Sequence, residues 1–145
     1  MSTARTFDQV HDAAIARSET RAVSTPARQA FWILRIGFFL APVIAGADKF
    51  FHILTDWDKY LAPVVSNMVG GNGHMFMLAV GVIEIIAGIG VLLKPRIFAY
   101  VVMAWLLGII VNLLMIPGYF DVALRDFGLS LGALALARLA SEYDR

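Results

Sequence analysis

The sequence predicts an all-α membrane protein, built as an antiparallel bundle of four transmembrane helices with a short outer surface helix. Of its 145 residues 59% are hydrophobic and only 16% are charged, and the mean hydropathy is +0.73, which is typical of membrane proteins. Four apolar stretches have the length that a bilayer requires, at about 30–52, 74–93, 97–116 and 122–140. Only a few residues separate the last three stretches, so we expect neighbouring helices to run antiparallel.

The composition excludes several classes of function. The chain has no cysteine, which excludes disulfides, thiolate metal sites and iron–sulfur clusters. Its net charge of +1 gives no basic surface of the kind that nucleic acids bind. The first 28 residues are polar and lack an apolar core, so we expect no cleavable signal peptide. No glycine pattern of a nucleotide-binding site is present in the sequence, and we expect no catalytic residue and no metal ligand set.

The two ends of the chain are polar. Residues 1–29 are interpreted as a loosely ordered cytoplasmic tail, although the apolar residues between Thr6 and Thr20 would also suit a short surface helix. A hydroxyl residue followed by proline at Ser24–Pro26 predicts the start of the first membrane helix. Residues 141–145 are expected to form a short cytoplasmic C-terminus.

The first span carries one polar stripe. Ala30–Ala47 is apolar apart from one arginine, and Pro42 within it should kink the helix. Helical spacing places five residues near one face: Arg35, Pro42, Gly46, Lys49 and His52. We therefore expect the rest of the chain to supply partners for this stripe.

The longest connection, residues 49–73, should contain the surface helix. Apolar and aromatic residues recur at helical spacing from Trp57 to Met68, which indicates a helix that lies on the membrane surface. The glycines between Gly70 and Gly73 then predict a flexible turn. Trp32, Trp57 and Trp105 are interpreted as membrane anchors or packing residues.

Basic residues near the spans set the orientation. Eight fall on one side, namely Arg5, Arg17, Arg21, Arg28, Lys94, Arg96, Arg138 and Arg145. Three fall on the other side, namely Lys49, Lys59 and Arg125. Both termini are therefore predicted to be cytoplasmic, and the long connection is predicted to face outward.

A buried polar core is predicted from Arg35 and Glu84. Glu84 lies near the middle of the second span, and Gly81 and Gly88 on the same face would let another helix approach closely. A carboxylate at that depth needs a partner, and the rise per residue places Arg35 within reach. Three interpretations stay open: a strut that fixes helix register, a site for a quinone or lipid headgroup, and a proton path.

Other polar residues gather near the outer surface, and these are Asp48, Lys49, His52, His74, Asn112, Asp121, Arg125 and Asp126. From them we select an outer polar cluster of Lys49, His52, His74, Asn112 and Asp126. Lys49 and Asp126 are expected to form an ion pair. His52 and His74 lie at similar depth and could hold a haem or a metal between two imidazoles. Interfacial histidines bonded to loop carbonyls are the simpler interpretation, because the sequence shows no further ligands.

With these residues assembled, the chain resembles the DoxX family of small four-helix membrane proteins over roughly residues 30–140. The resemblance rests on LRIGFFLAPVIAGADKF in the first span, on Tyr60–Pro63, and on the Glu84–Gly88 pattern in IEIIAGIGVLL. It implies a four-helix bundle beside respiratory or other redox membrane proteins, since some relatives are subunits of quinone-reducing or terminal oxidase assemblies. A thiol-linked role seen among relatives does not transfer, because this chain lacks cysteine.

The expected function is that of a non-catalytic accessory subunit of a larger respiratory or photosynthetic electron-transfer complex. It would aid assembly or shield a quinone or lipid site, with the bilayer and the larger complex as partners and no nucleic acid. The expected location is a bacterial inner membrane. The alternative is a quinone-linked membrane oxidoreductase, or a carrier of small hydrophobic molecules, that uses the polar core.

Overall fold

The computed structural model describes the backbone of residues 2–144. It also describes the side chains of these residues, except those of 2–4 and 21–24. These residues are all-helical, with 87% helix and no strand among them, which confirms the predicted class. The elements are α1 (Ser2–Phe51), a 3-10 turn (Trp57–Tyr60), α2 (Pro63–Met68), α3 (Gly73–Leu93), α4 (Pro95–Leu114) and α5 (Phe120–Tyr143).

Three helices in the described part of the chain are long and apolar enough to cross a membrane: α1, α3 and α4. The bounds of α3 and α4 follow the sequence pattern closely, since α3 begins one residue before the predicted span and α4 begins two residues before its own. The helix α5 has 24 residues but carries more charge, including Arg125 and Asp126 in its first two turns.

The first helix is much longer than the sequence pattern predicts. It runs without interruption for 50 residues and contains both Pro26 and Pro42. The helix start predicted at Ser24–Pro26 is therefore wrong, as is the loosely ordered backbone expected before it. The residues before Pro26 are rich in alanine and arginine, which have high helix propensity. At 1.5 Å per residue, α1 is about 75 Å long, which exceeds twice the thickness of a bilayer core.

The predicted surface helix is divided into two short pieces. The 3-10 turn ends at Tyr60, and α2 begins at Pro63 as its first helical residue. Between them Ala62 is extended, with φ −62° and ψ 138°. The reason is steric, because a residue that precedes proline avoids the helical region. A single helix from Trp57 to Met68 is therefore not formed.

The four long helices contact one another in a ring, in which α1 lies between α3 and α5, and α4 lies on the other side of both. The backbones of α1 and α3 approach each other closely at their glycines. A Cβ on Gly46 would lie 2.5 Å from the Gly81 carbonyl oxygen, and a Cβ on Gly81 would lie 2.7 Å from the Gly46 carbonyl oxygen. Further along, a Cβ on Gly88 would lie 2.8 Å from the Phe39 carbonyl oxygen. Only glycine fits at these contacts, as the small-residue face of the second span predicts.

An apolar core fills the end of the ring away from the long connection. Its fully buried members come from every long helix: Phe31, Val91, Ala99, Ala133, Leu136, Ala137 and Ala140. At the other end, where residues 52–72 join α1 to α3, buried apolar side chains such as Leu113 lie beside buried polar ones, among them Asp48, Lys49, Glu84 and Asp126. We call this the loop end, and it carries the candidate site.

Candidate functional site

The centre of the site is an ion pair between Lys49 of α1 and Glu84 of α3. The Lys49 Nζ lies 2.6 Å from Glu84 Oε2. Both residues are buried, with exposed fractions of 2% and 8%. An ion pair this deep has to keep both partners, because either charge alone would remain unsolvated.

Two glycines place this pair. Gly46 precedes Lys49 by three residues, and Gly81 precedes Glu84 by three residues on the antiparallel helix. The contact is reciprocal: a Cβ on Gly46 would lie 3.2 Å from the Glu84 Cβ, and a Cβ on Gly81 would lie 3.2 Å from the Lys49 Cβ. The close backbone approach therefore sets the register that brings the two charges together.

The predicted pair between Arg35 and Glu84 is wrong. Arg35 donates from Nε and Nη2 to the Leu92 carbonyl oxygen, and its Nη1 lies 3.5 Å from Asp144 Oδ1. Arg35 lies 14 residues from Lys49 on α1, about 21 Å along the helix axis. It therefore meets the last turn of α3, where a cation satisfies carbonyl groups that lack helical partners.

The indole of Trp57 covers the pair from the loop end. Lys49 Nζ lies 3.9 Å from the centroid of the Trp57 ring, which is a cation–π contact. Trp57 Nε1 donates to Asp48 Oδ2 at 2.8 Å, and Asp48 also accepts from the backbone N–H groups of Ile53 and Leu54. Asp48 is thus the residue that folds the connection back over Lys49. Asp48 is the sequence neighbour of Lys49 but was not selected for the outer polar cluster. The largely apolar residues that follow gave no indication that it holds the connection.

Asn112 fixes the same connection from α4. Its Nδ2 donates to the Tyr60 carbonyl oxygen, and its Oδ1 accepts from the Ala62 N–H at 2.9 Å. The Tyr60 ring also contacts the Tyr119 ring edge-on, at 5.0 Å between centroids. These contacts span 50 or more residues of sequence, so local periodicity could not have found them.

The predicted pair between Lys49 and Asp126 is also wrong. Asp126 is bonded by Arg125, its neighbour in α5, with 3.1 Å between Arg125 Nη2 and Asp126 Oδ1. Asp126 is nevertheless buried and lies within electrostatic reach of Glu84. The Trp105 indole lies near Glu84 as well, although its buried Nε1 meets hydrogen-bond geometry with no atom in the described residues. Each of the four long helices therefore contributes at least one polar side chain to this centre.

The two histidines of the outer polar cluster meet on the exposed side of the loop end. Their rings stack at 5.8 Å between centroids, and His74 Nδ1 lies 2.8 Å from Asp58 Oδ2. His52 follows α1 with a left-handed backbone, at φ +52°. The ligand atoms of His52, Asp58 and His74 all lie within 4.8 Å of one another, so this group has the chemistry to hold a metal ion.

The outer polar cluster thus divides into separate units rather than forming one site. Lys49 joins Glu84, Asn112 holds the connection, and the histidines meet Asp58. The buried unit is arranged to hold helices together, because its two charges neutralise each other beneath an aromatic cover. No family model matches the chain, and no curated protein or solved structure matches it. The resemblance to the DoxX family stays a prediction.

Proposed function

We propose that the protein is a non-catalytic accessory subunit of a larger membrane redox complex, where it aids assembly or shields a quinone or lipid. The observation that carries this proposal is the closed ion pair of Lys49 and Glu84. Its charges are 2.6 Å apart and covered by Trp57, so they stabilise the packing of α1 on α3. A pair committed in this way suits a structural role.

In this proposal α5 is the fourth transmembrane helix, and the chain forms a four-helix bundle with both termini in the cytoplasm of a bacterium. Two observations support it. The helix has 24 residues, enough for about 36 Å, and it packs against both α1 and α4. Basic residues are also more numerous at the end of the helices away from the long connection, which favours a cytoplasmic location for that end.

The N-terminal part of α1 supplies an area where a partner could dock. Residues 2–29 would extend about 42 Å beyond the first predicted span. Within this segment Phe7, Val10 and Ile15 are exposed, with 78%, 64% and 43% of their surface accessible. Large apolar side chains on an otherwise polar helix favour contact with another protein or with the membrane surface. The larger complex implied by the DoxX resemblance would provide such a partner.

A second candidate function has one observation in its favour. The buried Trp105 Nε1 is a donor close to Glu84, and its contact with that carboxylate falls outside good hydrogen-bond geometry. A quinone carbonyl is an acceptor of the kind that this donor requires. The alternative is therefore a quinone-linked oxidoreductase, or a carrier of small hydrophobic molecules, with Trp105 and Glu84 lining the ligand site.

The test is extraction of the native membrane in polymer-bounded nanodiscs, followed by purification of the tagged protein. We expect stoichiometric copurification with subunits that contain redox centres. We also expect deletion of the gene to weaken assembly or quinone exchange of that complex while its redox centres remain. Reduction of a quinone analogue by the isolated protein, or a stoichiometric haem on His52 and His74, would contradict the accessory role.

A further inference from the structure

Three separate elements bring metal-binding side chains together on the exposed face of the loop end. His52 directly follows α1, Asp58 lies in the 3-10 turn, and His74 lies in the first turn of α3. We propose that these three residues bind one Zn²⁺ ion, with the fourth coordination position open to water. This site is independent of the proposed accessory function.

The donor set fits zinc. Two imidazoles and one carboxylate are the ligands of several zinc sites that keep an open position. Metal–ligand bonds of 2.0–2.2 Å place the ligand atoms of a tetrahedral zinc about 3.3 Å apart. His74 Nδ1 and Asp58 Oδ2 are 2.8 Å apart, and all three ligand atoms lie within 4.8 Å. Side-chain rotations on this exposed face would be enough to close the set around an ion.

The second carboxylate oxygen of Asp58 gives an independent indication. Asp58 Oδ1 is buried and has no hydrogen-bond partner among the described residues. A buried carboxylate oxygen without a donor is costly, so such an atom requires an explanation. A divalent cation beside Asp58 would supply the missing positive charge.

The backbone that carries the ligands is held by contacts that do not involve the ion. The His52 N–H donates to the Asp48 carbonyl oxygen at 2.6 Å, and the His52 backbone is left-handed. The Asp58 N–H donates to Asp56 Oδ1 at 3.1 Å. A bound ion would therefore meet a largely preformed site. It would tie the end of α1 to the start of α3, above the covered ion pair.

The experiment uses the full chain in detergent or nanodiscs, purified through a tag without histidine and freed of metal with a chelator. Zn²⁺ is then titrated against a chromophoric chelator. We expect one ion per chain, with binding weakened by at least roughly 10–100-fold in Asp58→Asn, His52→Gln and His74→Gln, because loss of a ligand costs no less than loss of an outer-shell partner. The matched control is His11→Gln, because His11 is the third histidine of the chain and lies on the exposed N-terminal part of α1. This variant should bind as the wild type does.

A second measurement needs no variant. Co²⁺ bound to the wild-type chain should give the intense visible absorption of a four-coordinate site, and Zn²⁺ should remove it. Absence of one-to-one binding, or a weak six-coordinate cobalt spectrum, would overturn the proposal. Equal affinity in the wild type and in the His52 and His74 variants would also overturn it.

Discussion

At the scale of single residues, the partner of each buried charge is decided by helix register. The sequence identifies Glu84 as a charge that needs a partner, and it selects Lys49 as part of the neighbouring cluster. Counting depth from assumed span ends then gives Arg35 as the partner of Glu84, which is wrong. The glycine three residues before each charge, Gly46 and Gly81, carries the information that depth alone lacks, because close backbone contact fixes which turns are opposite.

The Lys49–Glu84 pair predicts a strongly non-additive mutational response. Lys49→Met or Glu84→Gln alone should lower the free energy of unfolding by about 3–5 kcal/mol, since each leaves a buried group without its partner. The double variant should be less destabilised than either single variant. Reversible unfolding in mixed detergent, monitored by helical circular dichroism, measures all three.

Lys59→Met is the matched control for this cycle, because Lys59 is exposed and its change should be nearly neutral. If the two single effects simply add in the double variant, Lys49 and Glu84 do not stabilise the protein as a pair.

A hydrogen-bonding residue on α4 gives a second prediction at this scale. Asn112→Ala removes both bonds to the connection and leaves the buried Ala62 N–H without an acceptor. We expect a loss of about 1–3 kcal/mol and faster hydrogen exchange across residues 57–68, measured by mass spectrometry.

The control for this change is Asn67→Ala, since Asn67 is exposed on α2 within the same segment. Unchanged exchange in the Asn112 variant would show that the connection is held by other contacts, such as those of Asp48.

At the scale of elements, periodicity predicts the apolar helices well and the polar segments poorly. The bounds of α3 and α4 lie within two residues of the predicted spans, because long apolar runs between turn residues leave few alternatives. The continuation of α1 through Pro26 and the break of the surface helix at Ala62 are different cases. Both depend on how one proline is accommodated, which hydrophobic periodicity does not report.

The contact of α1 with α3 gives a prediction about one methyl group. Gly46→Ala places a Cβ 2.5 Å from the Gly81 carbonyl oxygen, so the helices must separate. We expect a loss of about 1–3 kcal/mol in the free energy of unfolding, as for other overpacked contacts.

Gly37→Ala is the matched control on the same helix, because a Cβ there meets no atom within 4 Å. That change should be neutral or stabilising by roughly 0.5–1 kcal/mol, since alanine favours a helix interior. Equal effects of the two substitutions would contradict close packing at Gly46.

At the scale of the whole molecule, composition predicts an all-helical membrane protein, and the structure agrees. Composition does not reveal how the connection closes over the polar end. Asn112 bonds to Tyr60 and Ala62 across 50 or more residues, and Asp58 lies beside two histidines that are 22 residues apart in the sequence. Such contacts exist only once the helices are packed. The sequence pattern therefore identifies polar residues that need a partner, but not which residue each of them contacts.

The central proposal is that α5 crosses the membrane as a fourth helix and that the loop end faces outward. Single cysteines can report this directly, because the chain has none of its own. Four exposed positions suit labelling, at Ser18, Asn67, Asp121 and Ser141. A membrane-impermeant maleimide applied to intact cells should label Asn67→Cys and Asp121→Cys. It should label Ser18→Cys and Ser141→Cys only after the cells are made permeable. Labelling of Asp121→Cys and Ser141→Cys from the same side would show that α5 does not cross, and a fully reversed pattern would contradict the orientation.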